Sequence, residues 1–227
     1  MFFYNEDDSE VSFENPIDPF YNNSSIYRFT NQSLLDEISG RDLYQTQQEV
    51  VLSQTEGAIF QLNAANTLET TGTTDLLNND YHTVAIRIKI NNSSNGSWTR
   101  IFSYWSDSVF NATNNGWTAA NNPGIIMTDQ YTNILWNYPN EPAPSPQLDI
   151  NVGQWYDIIG IKNGQYLTIY WNGNLHSVTQ VKFPNSPGES RIILGANPTM
   201  LSAGFSVKQL EIYPKVVAVE DFDKILI

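Results

Sequence analysis

The sequence predicts an all-β protein: a two-sheet antiparallel β-sandwich preceded by an extended N-terminal arm and closed by a short C-terminal helix. Three observations carry this. From about residue 26 onward, short apolar runs alternate with Gly, Asn and Pro turn signals. Two Asn-Gly pairs join neighbouring runs within residues 155–181. Helical patterning is confined to residues 33–38 and 218–226. Many short strands with little helix bury their apolar faces by packing as two layers.

Residues 1–25 are acidic, rich in Asn and Ser, and interrupted by Pro16 and Pro19, so neither helical nor strand periodicity develops. They read as an arm. The alternatives are a disordered terminus and a tether ordered against a neighbouring subunit; Phe2, Phe3, Phe13, Phe20 and Tyr21 favour the tether. The sandwich occupies residues 26–227, with strands expected at 57–62, 83–90, 98–105, 124–128, 133–137, 191–194 and 205–213. In 83–90, Val84, Ile86, Ile88 and Ile90 share one face and Arg87 and Lys89 the other, the signature of a half-buried strand. Residues 155–181 read as a three-strand meander whose turns, Asn163-Gly164 and Asn172-Gly173, are both expected to be type I′.

Composition bounds the function. The 227 residues are 41% hydrophobic and 13% aromatic, enough for one full core without metals or disulfides. Eleven Lys and Arg against 24 Asp and Glu give a net charge of −13 and no basic run, which argues against nucleic acid and against anionic lipid as partners. No apolar stretch approaches the roughly 18 residues that suggest a membrane span. The absence of cysteine removes disulfide scaffolds, thiolate-bound zinc and thiol catalysis. The opening residues lack the basic region and continuous apolar core of a secretory signal, so either secretion by that route is not used or a signal has been removed.

Four pieces, in order, carry a family resemblance. They are Gly57-Ala58-Ile59-Phe60-Gln61-Leu62; Tyr81-His82-Thr83-Val84-Ala85-Ile86-Arg87-Ile88; Val152-Gly153-Gln154-Trp155-Tyr156 with Leu167-Thr168-Ile169-Tyr170-Trp171-Asn172-Gly173; and Ile192-Ile193-Leu194-Gly195-Ala196-Asn197 followed by Val207-Lys208-Gln209-Leu210-Glu211-Ile212-Tyr213. Their order resembles the concanavalin A-like lectin and glucanase superfamily in its laminin G-like form. The resemblance implies the jelly-roll sandwich over 26–227. It says less about ligand, since the fold includes lectins, glycoside hydrolases, adhesion modules and viral appendage proteins.

A glycosidase of that superfamily would carry Glu-x-Asp-x-x-Glu or Glu-x-Asp-x-Glu along one strand, and a retaining mechanism needs two carboxyl groups roughly 5 Å apart. The sequence holds no such strand. Asp157 and Glu211 are isolated strand acids, and Glu220, Asp221 and Asp223 read as the solvated face of the terminal helix. His82 and His176, the only histidines, are read as strand-surface residues too far apart in sequence to suggest a zinc or Ser-His-Asp site. The expectation is therefore that the protein is not an enzyme.

Glycan binding needs an aromatic face beside amides and carboxylates. Residues 104–122 offer Trp117 with Asn114, Asn115, Asn121 and Asn122, and a second segment offers Trp136 and Tyr138 beside the proline-rich 139–146. Against this stand a packed loop anchor for Trp117 and a stiff proline connection over an edge strand for 139–146. Trp98, Trp105, Trp155 and Trp171 are assigned to the core. Calcium, which the resemblance implies for some members, has candidate ligands in Asp107, Asp129 and Asn133, with plain turn residues as the alternative; no other cofactor is expected.

The resulting expectation is a non-catalytic surface-binding module on a virion surface or outside cells: a head fibre, capsid decoration or tail accessory. It would be oligomeric, with residues 1–25 contacting other subunits of the assembly and the sandwich touching host or mucus polysaccharide. The alternatives are a free-standing lectin or adhesion domain and, less favoured, a glycoside hydrolase.

Overall fold

The computed structural model describes residues 19–72, 74–77, 80–92, 99–105, 124–127, 133–137, 148–180, 191–196 and 202–226. Its strands are β1 (Ser25–Arg28), β2 (Leu43–Gln45), β3 (Val51–Ser53), β4 (Gly57–Phe60), β5 (Thr67–Thr70), β6 (Tyr81–Asn92), β7 (Thr99–Trp105) and β8 (Gly124–Met127). There follow β9 (Asn133–Asn137), β10 (Leu148–Asp149), β11 (Trp155–Asn163), β12 (Tyr166–Trp171), β13 (Asn174–Gln180), β14 (Arg191–Gly195) and β15 (Gly204–Tyr213). They form two sheets. The first has eight strands in the order β13-β12-β11-β6-β15-β4-β3, with β1 also on β15; the second has seven, in the order β10-β9-β8-β7-β14-β5-β2. Every strand pair is antiparallel.

The alternation in β6 does what the sequence predicts. Val84, Ile86, Ile88 and Ile90 are buried between the sheets, in one cluster with Ile101, Phe102, Tyr104, Ile192 and Leu194 of the second sheet. Phe60 and Phe205 stack at the centre with ring centroids 4.3 Å apart. Each such side chain contributes roughly 1.5–3 kcal/mol on burial. The two Asn-Gly signals mark hairpins, but the turns differ. Asn172 (φ 47°) and Gly173 (φ 77°) form the expected type I′ turn, with both central residues at positive φ. In the earlier hairpin Asn163 pairs with Tyr166 as the last strand residue, so the central residues are Gly164 and Gln165. Of these only Gly164 (φ 60°) has positive φ. That turn is type II′.

The two helical readings are corrected. Residues 33–38 form no helix because the buried Asp36 carboxylate takes the backbone N–H groups of Ile26 and Ile38, each at 3.0 Å, which ties the segment to β1 as a loop. At the C-terminus the helix is a six-residue 3-10 turn, Val219–Lys224. His82 is also corrected. It lies on the parity of Val84 and is buried opposite Lys162, whose side chain is 1% exposed and donates to Asp80 at 3.0 Å. His176 is exposed on β13, as expected. Phe20, Tyr21 and Ser25, assigned by sequence to the arm, pack on or pair with the first sheet.

Candidate functional site

The glycan candidates Asn114, Asn115, Trp117, Asn121, Asn122 and Tyr138, and the calcium candidates Asp107 and Asp129, lie outside the described residues. Trp136 and Asn133 lie in β9, where the backbone alone is described. The strand ends are informative. Ser103 pairs with Gly124 and Gly124 with Asn137, so the C-terminal end of β7, the start of β8 and the end of β9 meet at one end of the second sheet. Met127 and Asn133 belong to the opposite end, where Met127 pairs with Thr99.

A different aromatic platform is fully described. The first sheet turns its outer face to solvent over half its length, and Trp155 opens that face on β11. Its parity is that of Asp157, Ile159 and Ile161, while Tyr156 and Ile158 point into the core. Trp155 is half-buried and does not fill the core, which corrects the sequence assignment. Trp171 does pack on the core, 4.4 Å from Tyr156. The signal was present in β11: a tryptophan in register with Asp157 shares the carboxylate's face.

Cross-strand pairs build the surroundings of Trp155. Asp157 and Arg87 sit opposite one another, and the guanidinium meets the carboxylate with both prongs, at 2.7 and 2.9 Å. This hydrogen bonding raises the Arg87 pKa further above its ordinary value. Lys89 sits opposite Trp155, with its ammonium 5.1 Å from the ring centroid and paired with Glu56. Asn91 donates to the Ser206 hydroxyl at 2.8 Å. On β15 the register shifts between Val207 and Gln209, so Lys208 is the extra residue of a β-bulge. Its ammonium lies 4.5 Å from the Trp155 centroid. Two cations thus approach one indole by cation–π attraction.

The other half of that face is covered. Residues 214–226 fold back across it, burying Val217, Ile225 and Leu226 against Ala85, Ile159, Ile161 and Tyr213, with Phe20, Tyr21, Tyr170 and Phe222 packed around them. Phe20 and Tyr21 are fastened to this strap: the Tyr21 hydroxyl donates to the Lys224 carbonyl at 3.0 Å, and the Lys215 ammonium donates to the Phe20 carbonyl. Beneath it Glu211 is fully buried. Its carboxylate accepts from the Tyr213 hydroxyl at 2.6 Å and the Leu226 N–H at 3.1 Å, and from the Gln209 amide. Burial raises the Glu211 pKa, and those hydrogen bonds oppose the rise. Of the two strand acids singled out by sequence, one is held in an ion pair and the other is sealed. Among the described residues no group of three or more His, Cys, Asp or Glu is arranged to hold a metal ion.

No protein-family model and no curated protein matches this sequence. Solved structures do match. Domain 4 of AbnA, a GH43 extracellular arabinanase from Geobacillus stearothermophilus, seen in complex with arabinotriose, aligns with a TM-score of 0.57 at 16% identity, covering 88% of this chain and 96% of that one. Botulinum neurotoxin type C, whose cell entry depends on interaction with two ganglioside molecules, aligns at 0.63 and 14% identity over 88% of this chain and 49% of that one. Trypanosoma rangeli sialidase aligns at 0.64 and 12% identity over 87% and 31%. The likeness is one of fold. This chain has a two-sheet antiparallel β-sandwich that spans about half of the toxin chain and about a third of the sialidase. No helix among the described residues is long and apolar enough to cross a membrane.

Proposed function

We propose that this protein is a non-catalytic glycan-binding module. The observation that carries the reading is Trp155: a half-buried indole on a solvent-facing sheet, with ammonium groups 4.5 and 5.1 Å from its ring and an Arg87–Asp157 pair alongside. An aromatic surface for a sugar's C–H face, beside fixed polar groups for its hydroxyls, is what saccharide recognition requires. Fold neighbours seen with arabinotriose, or dependent on gangliosides for cell entry, support the same reading. Segment 106–123 is rooted, and segment 138–147 begins, at the end of the second sheet where β7 ends, β8 starts and β9 ends, which supports a second contact region there, with Trp117, Trp136 and Tyr138 as its aromatic residues. The ion-paired Asp157 and the sealed Glu211 support a non-catalytic role.

The module works on a larger assembly in this reading, a virion surface, with residues 1–18 as its tether. Its support is that the aromatic, acidic N-terminal sequence leads into Pro19–Tyr21, which is fastened to the outer face of the first sheet.

The test is retention of the purified protein on a panel of immobilised polysaccharides, with arabinan and sialylated glycans included. Trp155→Ala is expected to reduce retention at least about tenfold while costing roughly 1–2 kcal/mol of stability. Unchanged retention removes the Trp155 platform, and Trp117→Ala examines the loop region in the same way. Release of reducing sugar from any of these polysaccharides would overturn the non-catalytic reading.

A further inference from the structure

Lys208 is unlike every other basic side chain described. Arg28, Arg87, Lys89, Lys162, Arg191 and Lys224 each pair with a carboxylate. Arg41 and Lys215 donate to backbone carbonyls, of Asn23 and Phe20. Lys208 has no oxygen partner among the described residues; its ammonium lies against the Trp155 ring, 4.5 Å from the centroid. In a chain with 24 acidic and 11 basic residues, an ammonium left without a carboxylate is a specific arrangement, since acidic partners outnumber cations more than two to one.

The backbone is shaped to present it. Strict alternation would give Phe205 and Val207 one face and Leu210 and Ile212 the other, yet all four are in the core. The bulge at Lys208 reconciles them and adds one side chain to the outer face, where Gln209 already stands opposite Arg87. The neighbouring strand yields to the bulge: Gly57 opens β4 at φ +70°, and a Cβ there would lie 2.0 Å from the Val207 carbonyl oxygen and 2.8 Å from the Lys208 Cα. Lys89, the other cation at the indole, is already neutralised by Glu56.

We infer that the Trp155 platform selects carboxylated saccharides, with the sugar's C–H face on the indole and its carboxylate on the Lys208 ammonium. This rests on the glycan-binding reading above and adds the ligand's charge class. With Lys208 half-buried, an ammonium–carboxylate contact supports a preference of roughly three- to fivefold over a neutral sugar of the same shape, weakening as salt rises.

The experiment uses the full chain and polygalacturonate, alginate and hyaluronan, each beside its carboxyl methyl ester, with neutral arabinan as reference. The expected result is tighter, salt-sensitive binding of at least one acid form than of its ester. Lys208→Gln should erase that difference, and Lys208→Arg should retain it; both variants should melt with the parent protein. Equal binding of acid and ester, or a preference that survives Lys208→Gln, overturns the inference. Binding of neutral glycans alone, lost in Trp155→Ala, overturns it while leaving the glycan-binding reading standing. No binding to any member, in protein shown to be folded, overturns both.

Discussion

Glu211 shows what a single residue contributes that its neighbours in sequence do not announce. In sequence it is an isolated strand acid, and β15 places it under the C-terminal strap, where three donors meet its carboxylate. Burial raises its folded pKa above the ordinary 4.5. Between 4.5 and that raised value the native state holds more protons than the unfolded state, so this group's contribution to stability is present below 4.5 and is lost as pH rises through the folded pKa. Glu211→Gln should remove that dependence. Melting temperatures of both proteins from pH 4 to 8 should show the variant gaining on the parent as pH rises, and parallel curves would contradict the assignment. His82 and Trp155 make the same point about parity: their faces follow from Val84 and Asp157, two residues along each strand, rather than from polarity or size.

At the scale of the element, β15 is the strand on which most depends. It lies between β6 on one edge and β4 and β1 on the other, and its bulge sets both the core register and the position of Lys208. Gly57 is the counterpart on β4. Gly57→Ala combines a strained positive φ with a collision against the Val207 carbonyl, and is expected to cost about 3 kcal/mol in a urea unfolding curve. If the bulge adjusts in order to accept the methyl group, Lys208 should move from Trp155 and the acid-over-ester preference should fall with the stability. The hairpin at Asn172 is also more than a turn. Its side chain accepts from the Asp157 N–H at 2.9 Å and its own N–H donates to the Asp157 carbonyl at 2.8 Å, so the turn after β12 holds β11 beside it.

The whole molecule closes by bringing its two described ends onto the outer face of one sheet. Phe20 and Tyr21 meet Tyr213, with ring centroids 5.5 and 6.5 Å away, and Lys215 and Lys224 lie over the Phe20 ring at 4.3 and 5.1 Å. Two truncations separate tethering from folding. Removal of residues 1–18 should leave the melting temperature unchanged while abolishing assembly, as followed by sedimentation. Removal of residues 1–24 takes Phe20 and Tyr21 as well and should destabilise the sandwich by about 2–4 kcal/mol. Equal melting temperatures for the two would show that the Phe20–Tyr21 contact does not support the strap.

The sequence alone determined the parts of this protein that depend on local chemistry. Alternation in β6 set its buried face, positive-φ residues set the Asn172-Gly173 turn, and the shortage of helical periodicity set the all-β class. The tertiary structure decided what depends on residues distant in sequence. Trp155 and Ile161 share a face, but one is left at the surface and the other is covered by a strap more than fifty residues further along the chain. Lys208 reaches Trp155 because a bulge and a distant glycine fit one another across two strands. Strand parity specifies a face. Which portion of that face meets water, and which side chains meet on it, is settled by the order in which strands pair and by what folds over them.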